Sequence, residues 1–160
     1  MPSLCRRFVR PGQLPQPLRR QLEAEAILHV AERVRVTQRF SGSAPGVHSA
    51  SSVNRHLGLV VFTRERLYAL LPTIPRLGGP AIDQRWDAAD DGPAKVVISE
   101  SGLEMDLDVG QVDARFRGRL SLHFKTSIPD DVLGVLPSRS LSFSVTAEYV
   151  FHMLGVRVRA

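Results

Sequence analysis

Arg33, Arg35 and Arg39 stand at i, i+2 and i+6. On a strand that spacing puts three guanidinium groups on one face. Guanidinium suits phosphate because its planar fork can donate two parallel hydrogen bonds. His48, Arg55 and His56 follow in the next Ser/Gly-rich stretch. Together Arg33, Arg35, Arg39, His48, Arg55 and His56 form a candidate anion- or lipid-binding site. A solvated strand face, paired with acids such as Glu32 or Asp83, is the plainer account of the same residues. It weighs more, because arginine supplies 19 of the 21 basic side chains. That skew reflects GC-rich coding, so the net charge of +5 overstates any case for nucleic acid.

Other constellations carry less. Asp83, Asp87, Asp90 and Asp91 could face a hard cation, but Asp87-Ala88-Ala89-Asp90-Asp91-Gly92 lacks the alternating oxygen ligands of an EF-hand loop. A solvated turn accounts for it. His29, His48, His56, His123 and His152 show no helical metal spacing and no zinc-protease glutamate. No metal site and no cofactor is expected. Ser49, Ser51 and Ser52 lie near His48, yet no Gly-x-Ser-x-Gly elbow occurs. Cys5 beside Arg6 and Arg7 has the makings of a lowered thiol pKa, but it sits on an arm without folded surroundings. Gly78-Gly79-Pro80 lacks the lysine and helix of a phosphate loop. Tyr68, Trp86 and Phe124 form no stacking motif for nucleic acid. No catalytic residue is assigned.

The elements that must position these groups are mostly strands. Residues 1–13 read as a flexible basic arm with Arg6, Arg7 and Arg10, and 14–160 as one domain. A short helix is expected over 16–28, from Leu18, Leu22 and Ala26 with Pro17 at its start. Val30 to Phe40 alternates, with Val34, Val36 and Phe40 inward. Residues 41–56 read as a long loop, and long loops are often functional. Leu59–Phe62 and Leu67–Leu71 form a hairpin around Thr63-Arg64-Glu65-Arg66. A loop over 72–80, a short strand over 81–86 and a strand over 95–99 follow.

Next comes a patterned hairpin. Glu104, Asp106 and Asp108 alternate with apolar residues, as do Arg115, Arg117 and Arg119. A turn at 111/112 would pair Asp108 with Arg115, Asp106 with Arg117 and Glu104 with Arg119, with Leu107/Phe116 and Leu103/Leu120 behind. Pro129–Leu133 starts a short helix. Leu141, Phe143 and Val145 mark a last strand, and Thr146 caps a helix whose apolar face is Ala147, Val150, Phe151 and Leu154. Gly155 is its expected stop. The expected interior is Val34, Val36, Leu59, Val61, Leu107, Phe116, Leu120, Leu122, Phe143 and Val145, nearly all apolar, so a filled core is expected.

At 160 residues the chain can bury a core without staples. One cysteine rules out an internal disulfide framework and fits a reducing compartment. No apolar run approaches the roughly 18 residues of a membrane helix, and the start has no leader-like stretch. Cytoplasmic is the expected location. The sum is a mainly β domain of about seven antiparallel strands, a barrel or bent sandwich, with a short N-terminal helix and a C-terminal helix capping one end.

Gly58-Leu59-Val60-Val61-Phe62-Thr63-Arg64-Glu65-Arg66-Leu67-Tyr68 resembles the hairpin of bacterial pleckstrin-homology-like (PH/GRAM-type) domains. The Ser-rich last strand entering a helix, Leu141 to Leu154, is similar to them too, and the resemblance covers about residues 28–156. It departs at the N-terminal helix, near 129–137 and at 81–86. The resemblance implies a non-catalytic adaptor that binds a protein partner, or an anionic lipid head group through basic residues of the first two strands and their loop. Peripheral contact with an anionic membrane would follow, and nucleic acid is disfavoured. The rival class is a small-ligand carrier or an enzyme using the barrel interior.

Overall fold

In the computed structural model, residues 13–71, 80–88 and 90–154 are described. The expected arm at 1–13 lies outside them except for Gln13. Cys5, the 72–80 loop other than Pro80, and Gly155 also fall outside.

Among the described residues eight antiparallel strands form a nearly closed barrel, with 52% of those residues in strands. They are β1 (Ile27–Ala44), β2 (Val47–Thr63), β3 (Arg66–Leu70), β4 (Ile82–Arg85), β5 (Ala94–Ser99), β6 (Gly102–Asp108), β7 (Arg117–Lys125) and β8 (Ser140–Phe143). The helices are α1 (Gln16–Glu23), α2 (Asp130–Val135) and α3 (Ala147–Met153). The sheet runs β4-β3-β2-β1-β7-β6-β5-β8. Local hairpins build each half, and the β1–β7 ladder joins the two.

Alternation explains the main core. Val34, Val36 and Phe40 on β1 point inward, as do Val96 and Ile98 on β5, Leu103, Met105 and Leu107 on β6, and Leu120, Leu122 and Phe124 on β7. Helix α3 closes one end with Val150, Phe151 and Met153. Thr146 caps it as expected, its hydroxyl accepting from Tyr149 N at 3.1 Å. Phe151 meets Phe116 edge to face at 5.1 Å, and the Tyr149 hydroxyl donates to the Ala81 carbonyl at 2.7 Å.

Four expectations are corrected. The 41–56 segment is not a loop: β1 and β2 continue as one long hairpin that turns at Pro45-Gly46, where Gly46 supplies φ +82°. Polar strands pair through their backbones, so the serines hide the ladder without breaking it. The N-terminal helix stops at Glu23 rather than 28. Ala26 turns left-handed at φ +63°, and Ile27 already begins β1.

Leu59 and Val61 do not join the main core; Val60 and Phe62 do. Leu59 and Val61 form a second apolar cluster with Leu14, Leu22 and Tyr68 beneath α1. The β2 run is apolar on both faces because both are covered, so alternation cannot orient it.

The charged hairpin is also misregistered. Asp108 pairs with Arg119, Asp106 with Ser121 and Glu104 with His123. The pairing is displaced by four residues from the expected one. A 3-10 turn at Val109–Gln111 and the connection through Phe116 take up the difference, burying Val109 and Phe116. An even displacement keeps every side chain on its expected face, which is why the inward set is right while the charge ladder is not. Arg115 bonds Asp113 instead, and Arg119 reaches Asp106 diagonally at 3.3 Å.

Where β1 crosses β7, Gly42 faces Gly118. A Cβ on Gly118, whose φ is +107°, would overlap the Ser41 carbonyl, and one on Gly42 would overlap that of Arg117. The two backbones approach this closely because neither residue has a side chain.

Candidate functional site

Of the six candidate residues, the structure brings Arg35, Arg55 and His56 together and leaves Arg33, Arg39 and His48 elsewhere. The first three line an open cleft of about 890 Å3, with Ser101, Lys125, Thr126 and Ser127 on its far side.

The ladder explains the convergence. Arg35 is directly opposite Lys125 on β7 and opposite Leu57 on β2. Arg55, two residues before Leu57, is therefore its diagonal neighbour across β1–β2. Next along the row Lys125 faces Gly102, where a Cβ would overlap the Phe124 carbonyl, so the two backbones approach closely there. Thr126 N donates to the Ser101 carbonyl at 3.3 Å and fixes the β5–β6 turn against the strand that leaves β7. Like charges placed directly opposite across strands repel. Among the described residues no carboxylate lies within 4.0 Å of Arg35, Arg55 or Lys125 to relieve that repulsion.

His56 differs from the arginines. It is paired with Val36, an inward position, and is half-buried. Its Nε2 lies 3.1 Å from Oε1 of Gln38, which is 3% exposed. The Gln38 amide nitrogen donates to the Met153 carbonyl at 2.7 Å, at the end of α3. Burial pushes the His56 pKa below the ordinary histidine value.

Arg33 sits at a β-bulge between Ala31 and Val34 with φ +55°, which removes it from the regular alternation. Arg39 lines a separate recess of about 340 Å3 with Ser41, Ser51 and the Asp106–Arg119 pair. His48 is exposed near the hairpin tip, opposite Ser43. The acids named as partners for the stripe are engaged otherwise. Glu32 accepts from Leu14 N at 2.6 Å and pairs with Arg19, and Asp83 pairs with Arg66.

The remaining candidates resolve into structure. Asp87 bonds Arg85 at 3.2 Å; Asp90 accepts from Gly92 N and Ser144 Oγ. His123 Nε2 is 3.7 Å from Glu104, and His152 Nε2 is 3.8 Å from Glu148. His29 stacks on Phe62, and burial lowers its pKa. Among the described residues no cluster of His, Cys, Asp and Glu could hold a metal ion. No helix among them is long and apolar enough to cross a membrane.

Sequence reasoning missed Lys125, Ser101, Thr126 and Ser127. They reach the cleft through the non-local β1–β7 ladder, and nothing in their local spacing signals it. The chain matches no family model, and searches among curated proteins and solved structures return no match.

Proposed function

We propose that this protein is a non-catalytic recognition module, built on a pleckstrin-homology-like barrel, that holds an anionic, phosphate-bearing head group in the cleft between β1, β2 and the end of β7. One observation carries the reading. Arg35 is set directly against Lys125, with Arg55 diagonal to it, and no described carboxylate compensates them. An opposed cationic pair costs stability until an anion bridges it. The hydroxyls of Ser101, Thr126 and Ser127 add donors suited to phosphate oxygens.

The barrel interior gives less support to an enzyme or carrier. Gln38 and Thr63 are the buried polar side chains among the described residues; Gln38 is bonded to Met153, and Thr63 lies on the α1 side, bonded within the β2–β3 turn and to Glu25.

The test is co-sedimentation with phosphatidylglycerol and phosphatidylcholine vesicles at low and high salt, with soluble glycerophosphate as competitor. Each cation near an anionic surface contributes about 1 kcal/mol. The Arg35→Glu/Arg55→Glu variant should therefore lose binding by at least thirtyfold while its melting temperature holds or rises, since a glutamate at position 35 faces Lys125 with opposite charge. Vesicle binding without competition assigns the site to a membrane surface; full competition assigns it to a soluble phosphate ester. Equal binding by the native chain and the variant would refute the site.

A further inference from the structure

A second recess, of about 560 Å3, lies beside α1 and shares no residue with the basic cleft. Its volume is in the range of small-ligand sites. One wall is β3 and β4, where Tyr68 is directly opposite Asp83 and Arg66 shares the Tyr68 face two residues back. The other wall is one side of α1. Leu18, Gln21 and Leu22 stand at i, i+3 and i+4, and Glu25 follows at i+7 just past the helix end. The recess therefore has two unlike ends. Leu18 and Leu22 make one apolar; Glu25, Arg66 and Asp83 make the other ionic. From Leu18 to Glu25 is about 10 Å at the helical rise per residue.

The ionic end is short of positive charge. Arg66 serves both carboxylates, through Nε to Glu25 Oε1 at 2.8 Å and through Nη1 to Asp83 Oδ1 at 2.9 Å. Two acids against one cation leave one negative charge over among the lining residues. Arg85, opposite Arg66 on β4, turns to Glu65 and Asp87 and does not line the recess. The Thr63 hydroxyl also bonds Glu25 through Oε1. Glu25 Oε2 and Asp83 Oδ2 thus remain as acceptors without a donor among the described residues.

Tyr68 is an independent sign of a ligand. It is 9% exposed, yet its hydroxyl has no hydrogen-bond partner among the described residues. The charges of Asp83 and Arg66 both act on that hydroxyl, which places it at the ionic end. Burial first, and Asp83 next, push its pKa up to about 12, so it stays neutral at working pH. A polar group buried this far without a partner is costly, and whatever occupies the recess can supply one.

We propose that the recess beside α1 binds a primary aliphatic amine, whose ammonium group donates to Glu25, Asp83 and the Tyr68 hydroxyl while its chain lies along Leu22 and Leu18. Three N–H donors meet three open acceptors, and the ammonium supplies the missing positive charge.

The experiment titrates the full chain with pentylamine at pH 7, followed through the amide chemical shifts of Leu22, Tyr68 and Asp83. Pentan-1-ol and pentanoate are the uncharged and oppositely charged controls. The expected result is a saturable shift at those amides, with an affinity for the amine about tenfold or more above either control and falling as salt rises. Tyr68→Phe keeps the ring in its apolar cluster and should weaken amine binding about fivefold, the worth of one hydrogen bond. Asp83→Asn keeps the shape, removes the charge and should weaken it about tenfold. Alcohol binding as tight as that of the amine would overturn the ligand class. Amine affinity unchanged in both variants would overturn the partners assigned to the ammonium. Absence of a saturable shift at these amides would overturn the site, and the basic cleft, which shares no residue with it, would be untouched.

Discussion

Replacing Thr63 by valine changes one hydroxyl into a methyl at constant shape, at a side chain with no solvent exposure. The hydroxyl of Thr63 organises the β2–β3 turn. It accepts from Glu65 N at 3.1 Å and Arg66 N at 2.9 Å. Its single proton is offered to Glu25 Oε1 at 3.0 Å, with the Arg66 carbonyl at 3.3 Å. Valine strands both amide donors, and each unpaired, buried donor costs about 1–3 kcal/mol. Glu65 is exposed enough for water to take over part of its share. Glu25 keeps the guanidinium of Arg66 at 2.8 Å and is not left alone. The sum is about 2–3 kcal/mol, well above the usual cost of a shape-conserving swap. With a urea slope of about 2 kcal/mol/M, the unfolding midpoint drops by about 1–1.5 M. The single tryptophan reports the transition locally, since Trp86 Nε1 donates to the Thr63 carbonyl at 2.8 Å and its ring lies 6.5 Å from Phe62. Thr63→Ser keeps the hydroxyl and loses one methyl, about 1 kcal/mol. A valine variant within 0.5 kcal/mol of native, or one no worse than serine, would refute this account of the turn.

Two further perturbations test the fold at other places. Gly118→Ala should destabilise by about 3 kcal/mol or more, because its Cβ meets backbone at a positive φ, whereas Gly134→Ala, on an open helical position, should be neutral or stabilise by up to about 1 kcal/mol; urea midpoints of the pair decide it. Asp113 is held down to about 2, chiefly by the Arg115 side chain and then by its backbone amide. Because the folded value lies below the ordinary 3.8, its contribution is complete above about pH 4 and fades as pH falls toward 2. Arg115→Gln should return the Asp113 titration toward 3.8, and an unchanged carboxyl titration by NMR would contradict that cause.

What could be read from the chain was the facing of side chains; what could not was their pairing. Leu103, Met105 and Leu107 alternate with three acids, so β6 and its buried side were plain. The partner of Asp108 was not, because Arg115 and Arg119 lie on the same face and the choice fell to a turn that buries Val109 and Phe116. The run from Ser41 to His56 looked like loop since its apolar content is low, while its strand state rests on main-chain bonds to β1 and the Gly46 turn. Leu59-Val60-Val61-Phe62 carried no facing signal, since α1 covers the side that solvent usually wets. The candidate site was half legible. Arg35, Arg55 and His56 belong to one hairpin, but Lys125 joins them from a strand far away in sequence.

The ladder between β1 and β7 also bears on how the chain folds. Hairpins β1–β2, β2–β3, β5–β6 and β6–β7 close over short stretches. The seam pairs Ser43 with Arg117, so joining it closes a loop of about 74 residues at an entropic cost of about 4 kcal/mol. That cost falls due before the seam's own contacts repay it, which makes the meeting of two preformed halves the slow step. The residues that cross the seam, Gly42 and Gly118 with their touching backbones and Arg35 with Lys125, then govern the rate of folding more than the strength of either half. The opposed cations would brake that encounter, and raising salt should speed refolding of the native chain more than that of Lys125→Gln in stopped-flow measurements.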